Sequence, residues 1–187
     1  MEKFKTDNSR RAFLKSSFLA GGGLMISFSS LAKLNLEDKI SEPGLQEQWH
    51  EITGYIKITP DNIIKILNPN PEFGQNVMTS LPMIVAEELD VDWQKLVVEM
   101  GPHDNMKLGP QFTGGSNSVR MYWKPLREAG AAARYMLKEA AAQSWGVLAD
   151  EITTKAGMLH HEKSGKSGTY GEFASKASGI TIPNDVK

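Results

Sequence analysis

The chain has 187 residues, 40% of them hydrophobic, which is enough for one ordinary globular domain with a real core and excludes a disordered composition. Twenty-one Lys and Arg against 22 Asp and Glu leave a formal charge of -1, so no basic excess points to nucleic acid or an anionic membrane surface. The absence of cysteine excludes a disulfide framework, a thiolate-held iron-sulfur cluster and a cysteine nucleophile within this chain.

The first 32 residues read as a processing segment. Lys3, Lys5, Arg10 and Arg11 form a basic start, and Phe18 to Ala32, FLAGGGLMISFSSLA, is apolar, rich in glycine and short for a bilayer span. Ser9 to Lys15, SRRAFLK, resembles the twin-arginine export signal S-R-R-x-F-L-K. The expectation is export to the periplasm or cell envelope, with cleavage after Ala32 and retention as an uncleaved anchor both open. Residues 33–48 turn polar around Pro43 and Gly44 and read as a linker, so structure is expected from about Trp49.

Along residues 49–187, Ile52, Ile56, Ile58, Ile64 and Ile66 alternate about Pro60, Asp61 and Asn62, which predicts one β-hairpin ended by Pro69 and Pro71. Met78, Leu81, Val85 and Leu89 share a helical face, with Pro82 expected in the first turn. Lys95 to Met100 predicts a short strand. Gly101 to Ser116 reads as a loop too long for a mere connector. A long helix follows, with Leu126, Ala129, Ala133, Leu137, Ala140 and Ser144 on one side and Gly146 past its end. Its alanine run lets the helix axis come close to whatever it packs on. That face is expected to await a partner surface, and the chain alone to be poorly soluble or oligomeric. A hairpin about Ala156 and Gly157, a loop KSGKSG, a capping box at Thr169 and Glu172 that opens a short helix, and a strand start at GITIP complete the pattern. The fold class expected is α+β, short strands and hairpins packed with two main helices.

Two polar loops precede helices, EFGQNV from Glu72 to Val77 and FTGGSNS from Phe112 to Ser118. Helix N-termini expose unpaired N–H groups and the positive end of the dipole, so both loops could hold phosphate. Gly74, Gly114 and Gly115 would admit a ligand close to the backbone, Thr113, Ser116 and Ser118 add hydroxyls, and the Gln75 amide suits a heterocycle edge. Ordinary capping by Asn76, Ser116 or Ser118 explains the same residues, and spacing alone leaves both readings open. Glu87 and Glu88 read as a solvated helix face, and His160 and His161 as a surface pair on opposite sides of a strand, unable to share one ion. His103 with Asp104 lacks a third ligand, and the four tryptophans read as core anchors.

The ordered set EFGQNVMTSLPMIVAEELDVDWQKLVVEMGP, FTGGSNSVRMYWKPLREAGAAARYMLKEAAAQSWGV and YGEFA resembles the molybdopterin-binding large subunit of the xanthine dehydrogenase and aldehyde oxidase family, in particular the isoquinoline 1-oxidoreductase beta branch. The resemblance covers nearly all of the chain from Trp49. It implies part of a molybdopterin-binding domain in a molybdenum hydroxylase, acting on N-heteroaromatics or aldehydes with water as the oxygen source. The cofactor would be a molybdenum pterin dinucleotide, its cytosine form expected. By position, Gly74, Gln75 and Asn76 match the family's glycine-glutamine-glycine loop, and Thr113, Gly114, Gly115, Ser116 and Ser118 its second loop. Asn76 departs from the second glycine; asparagine is the least costly replacement if positive φ is needed there.

Nothing in this chain matches the family's catalytic glutamate. No catalytic or metal-ligating residue is therefore assigned, and the chain alone is expected to be inactive, a separate piece or truncated frame of a large subunit. The expected partners are the remaining part of that subunit and a small iron-sulfur subunit, with no nucleic acid and with membrane only for export or anchoring. A cofactor inserted before export requires a route for folded proteins, which the twin-arginine segment would supply. The competing reading is an exported, non-catalytic binding or interaction module that keeps the family fold without cofactor.

Overall fold

The computed structural model describes residues 48–182. The expected export signal at 1–32, and the linker save Gln48, lie outside the described residues. The chain separates into two units at 46/47, and everything below concerns the second.

Three strands open it: β1 (His50–Thr53), β2 (Ile56–Ile58) and β3 (Ile64–Asn68), paired antiparallel in sequence order. The single hairpin expected here is thus a three-stranded meander. A tight turn at Gly54 and Tyr55 divides the first arm, and because Ile52 and Ile56 keep the same parity across it, the alternation runs on as if unbroken. Pro69 follows the last residue of β3, as expected.

Helix α1 (Val77–Leu89) buries Leu81, Val85 and Leu89 on the predicted face. Pro82 is its sixth residue, beyond the first turn, so the helix forgoes one intrahelical bond where expectation had put a harmless proline. Strand β4 (Leu96–Met100) then pairs parallel to β3, from Ile64 opposite Leu96 to Asn68 opposite Met100, giving the order β1-β2-β3-β4. Residues 101–117 are not wholly irregular: Asp104 accepts from the N–H of Met106 and of Lys107 and caps a single turn, α2 (Asn105–Leu108).

Helix α3 (Ser118–Trp145) crosses α1. At Gly130 the approach is tight: an added Cβ would stand 2.8 Å from Glu88 Cβ and 2.9 Å from the Val85 carbonyl oxygen. Ala133, Ala140 and Ala141 are fully buried, so the alanine face is covered within the fold and does not await a partner. Ser144 is exposed and bonds back to the Ala140 carbonyl. Gly146 takes the left-handed conformation that ends the helix.

A second sheet, β5 (Thr153–Lys155), β6 (Met158–His161) and β7 (Lys166–Thr169), is antiparallel throughout. Strand β7 falls where a loop was expected, because Lys166, Ser167 and Gly168 carry no apolar alternation and are held through the β6 backbone. Thr169 Oγ1 accepts from Glu172 N at 3.2 Å and opens α4 (Tyr170–Ala177) as the capping box predicted. Ile180 to Ile182 form no strand.

The core joins the isoleucines of β1–β3 to α1, α3 and α4. Trp145 meets Phe173 edge-on at 5.3 Å, whereas Trp93 and Trp123 are exposed at 42% and 51% and are not core anchors. His161 is buried rather than superficial: Nδ1 lies 2.7 Å from Ser164 Oγ and Nε2 3.1 Å from Glu151 Oε2, while His160 faces the other way. Strand alternation had to turn one of two adjacent histidines inward.

Candidate cofactor cleft

The parallel pair places both polar loops at the same end of the sheet. The chain leaves β3 through Pro69–Asn76 into α1 and leaves β4 through residues 101–117 into α3, so both polar loops lie beyond the carboxyl ends of neighbouring parallel strands.

Asn70 ties the two loops together. Its Nδ2 donates to the Phe112 carbonyl at 3.0 Å and to Ser118 Oγ at 2.8 Å, and Thr113 Oγ1 donates to the Pro71 carbonyl at 3.0 Å. Asn68 Nδ2 in turn donates to the Asn70 carbonyl at 2.5 Å. Both asparagines are fully buried, and among the described residues neither Oδ1 finds a partner. From below, Tyr122 shares its hydroxyl proton between the carbonyls of Leu108 (3.0 Å) and Pro110 (2.9 Å), and Tyr55 also donates to Leu108. Burial, and secondarily the neighbouring Tyr55, pushes the Tyr122 phenol up to about 12, so it stays a donor.

Between the loops lies a cleft of about 350 Å³. Gln75, Thr113, Gly114, Ser116 and Ser118 of the sequence-derived set line it, joined by Phe73, Val77, Ser80 and Val119. Gly74, Asn76 and Gly115 are outside the lining and shape the turns, with φ of 102°, 62° and 58°. Asn76 therefore occupies a position that takes positive φ, which asparagine tolerates better than most residues. Gln75 Oε1 accepts from Phe73 N and its Nε2 donates to the Pro71 carbonyl, both at 2.8 Å. One amide proton and one lone pair remain for a ligand.

The sequence reading assigned no role to Asn70 or Glu72. The Asn70 bonds join positions more than forty residues apart, and no local pattern announces them. Glu72 bonds the N–H groups of Gly74, Asn76 and Met78, and the only signal would have been a carboxylate two residues before a turn glycine. Asp104 is engaged as a cap, and among the described residues no three His, Cys, Asp or Glu side chains are placed to hold a metal. None of the described residues lining the cleft is charged, and its polar lining is made of the Gln75 amide and the hydroxyls of Ser80, Thr113, Ser116 and Ser118.

In this small α+β domain two glycine turns converge at the ends of the parallel strands and enclose the cleft. The chain belongs to the molybdopterin cofactor-binding domain family, whose model matches residues 21–186. It is 40% identical over 125 residues to the isoquinoline 1-oxidoreductase subunit beta of Brevundimonas diminuta, covering 64% of this chain and 16% of that protein. It is 32% identical over 168 residues to the membrane-bound aldehyde dehydrogenase (pyrroloquinoline-quinone) of Gluconacetobacter polyoxogenes, covering 90% of this chain and 21% of the relative. The chain thus spans about a fifth or less of the length of these relatives. The crystal structure of quinoline 2-oxidoreductase from Pseudomonas putida 86 shares the fold, with a TM-score of 0.50 and 18% identity over 71% of this chain and 17% of that one.

Proposed function

We propose that this chain is the part of an exported molybdenum hydroxylase that holds one end of a molybdenum pterin dinucleotide, its cytosine form being the expected one. The observation that carries the reading is the convergence of the Gln75 and Thr113–Ser118 turns on one cleft. The donor set of the second turn fits the phosphate-bearing end of such a group. Ser118 Oγ accepts from Asn70 and keeps its own proton for a ligand, and the N-cap residue of α3, Asn117, makes no side-chain cap bond, leaving the first amides of the helix without a side-chain acceptor. Gln75 offers its remaining amide valences to a heterocycle. When bound, the molybdenum group supplies the two-electron oxidation of substrate, with water as the oxygen source.

In this reading Gly74, Asn76, Gly114 and Gly115 shape the walls, while Gln75, Thr113, Ser116 and Ser118 make the contacts. The general base comes from outside the chain. Glu87 is solvent-exposed on α1 and Glu88 is taken up by Arg127, which supports leaving neither as a catalyst. The other partners are the rest of a large subunit and a small iron-sulfur subunit that carries electrons away. The substrates are N-heteroaromatics or aldehydes, and the twin-arginine segment delivers the loaded complex across the membrane.

Co-expression with the neighbouring genes, followed by metal analysis of the purified complex, tests this. Stoichiometric molybdenum, lost when Gly114 and Ser118 are replaced together, is the expected result. A correctly folded complex without molybdenum would establish the alternative of a non-catalytic exported module, the reading that Asn76 in place of glycine favours.

A further inference from the structure

The first loop already contains an anion, supplied by the chain itself. Glu72 Oε1 accepts from Gly74 N at 2.7 Å and Asn76 N at 3.1 Å, and Oε2 accepts from Met78 N at 3.0 Å. These amides open the left-handed turn and the first turn of α1. Asn76, the N-cap residue, makes no side-chain cap bond, so the carboxylate four residues earlier performs that task. Gln75 closes the same turn through Phe73 N and the Pro71 carbonyl. A phosphate drawn to this helix end would meet amides already bonded and a like charge beside them. The second loop differs: Asn117 Oδ1 accepts from Arg120 at 2.6 Å instead of capping α3.

We propose that Glu72 is a positioning residue. Its carboxylate sets the Gly74–Asn76 turn so that Gln75 reaches the cleft, and it steers the phosphate-bearing end of the cofactor to the turn at Gly114–Ser118. The proposal rests on the cofactor reading of the cleft and assigns its two ends.

Amide hydrogen exchange of the full chain provides the test. With Glu72→Ala, exchange at Gly74, Asn76 and Met78 should rise about fivefold, as for loss of a helix cap, while the amides of β5–β7 keep their rates. Added sodium acetate should restore the protection, which a purely packing role would not allow. Should Glu72→Ala fail to fold, Glu72→Gln, which keeps the shape and removes the charge, carries the same comparison with a smaller rise. Unchanged rates at the three amides, or no response to acetate, would overturn the clamp.

The steering is read with inorganic pyrophosphate. It should protect residues 115–120 in the unaltered protein and reach 74–78 only after Glu72→Ala. Protection of 74–78 in the unaltered protein would overturn the steering. Protection at neither turn would remove the steering together with the cofactor reading, leaving the clamp, measured without ligand, standing.

Discussion

Glycines at two positions are required for different reasons, and the same substitution separates them. At Gly171 a Cβ would stand 2.5 Å from the Pro60 carbonyl oxygen and 2.6 Å from Asn62 N and the Thr59 carbonyl oxygen. All three are backbone atoms, so no rotamer change relieves the clash, and Gly171→Ala should cost about 3 kcal/mol, the upper end for overpacking. At Gly74 nothing lies within 4 Å of the added carbon, and only the φ of +102° opposes it. Gly74→Ala should therefore cost about 1 kcal/mol, the backbone term alone. Urea unfolding of both variants is the measurement, with midpoints displaced in that order and the slopes unchanged. Equal midpoints would mean that α4 does not pack against the β2–β3 turn as described.

Where α3 crosses α1, two helices meet across a glycine. Alanine in place of Gly130 gains about 1 kcal/mol of helix propensity. The new carbon would also press on Glu88 Cβ at 2.8 Å and the Val85 carbonyl oxygen at 2.9 Å, and parting two packed helices costs about 1–3 kcal/mol. Gly130→Ala should thus be destabilising by about 1 kcal/mol in denaturant melts, and a stabilised variant would show that the crossing has slack. The N-terminus of α1 adds a pH dependence. Hydrogen bonds from Met78 N first, then from the Gly74, Asn76 and Gln75 amides, hold the Glu72 carboxyl below its ordinary value of 4.5. A depressed carboxylate contributes stability above the unfolded value and loses it as pH falls through the folded one. Thermal melts from pH 6 downwards should therefore lose less stability with Glu72→Gln than with the unaltered chain, the curves converging below pH 4.5. Parallel curves would mean the bonds contribute nothing in solution. At this scale the sequence was legible where a signal is local: apolar spacing marked α1 and α3, Thr169 with Glu172 marked α4, and Ala156 with Gly157 marked the β5–β6 turn. It read β7 as a loop, because the polar residues of that strand pair only through backbone, and it was silent on Glu72, whose acceptors point forward into a turn.

Across the whole molecule, single side chains bridge positions far apart in the chain. Asn62 accepts from Gly171 N at 2.9 Å and donates to the Gly157 carbonyl at 3.4 Å, joining the β2–β3 turn to the β5–β6 turn and the start of α4. Asp90, just past α1, accepts from Thr154 Oγ1 at 2.7 Å and completes the attachment of the second sheet. Such bonds leave no trace in sequence spacing, which is why the two glycine loops could be named in advance and Asn70, which fastens one to the other, could not. The same long-range closure decides what surface is left over. The buried alanine face of α3 has no apolar area to offer a partner. Phe73, exposed at 71%, stands at the cleft, Phe112, at 63%, closes over Gly114, and Trp123 on α3 is half-exposed. Aromatic surface of this kind is costly to leave in water, and a purified chain without partners should cover it with further copies. Sedimentation velocity over a concentration series should show reversible association, and Phe73→Ser with Phe112→Ser should shift it toward monomer, since the rings make no core contact whose loss would unfold the domain. A monodisperse monomer at the highest concentration would mean that this aromatic surface does not self-associate, and association unaltered by the double substitution would place the adhesive surface away from the cleft.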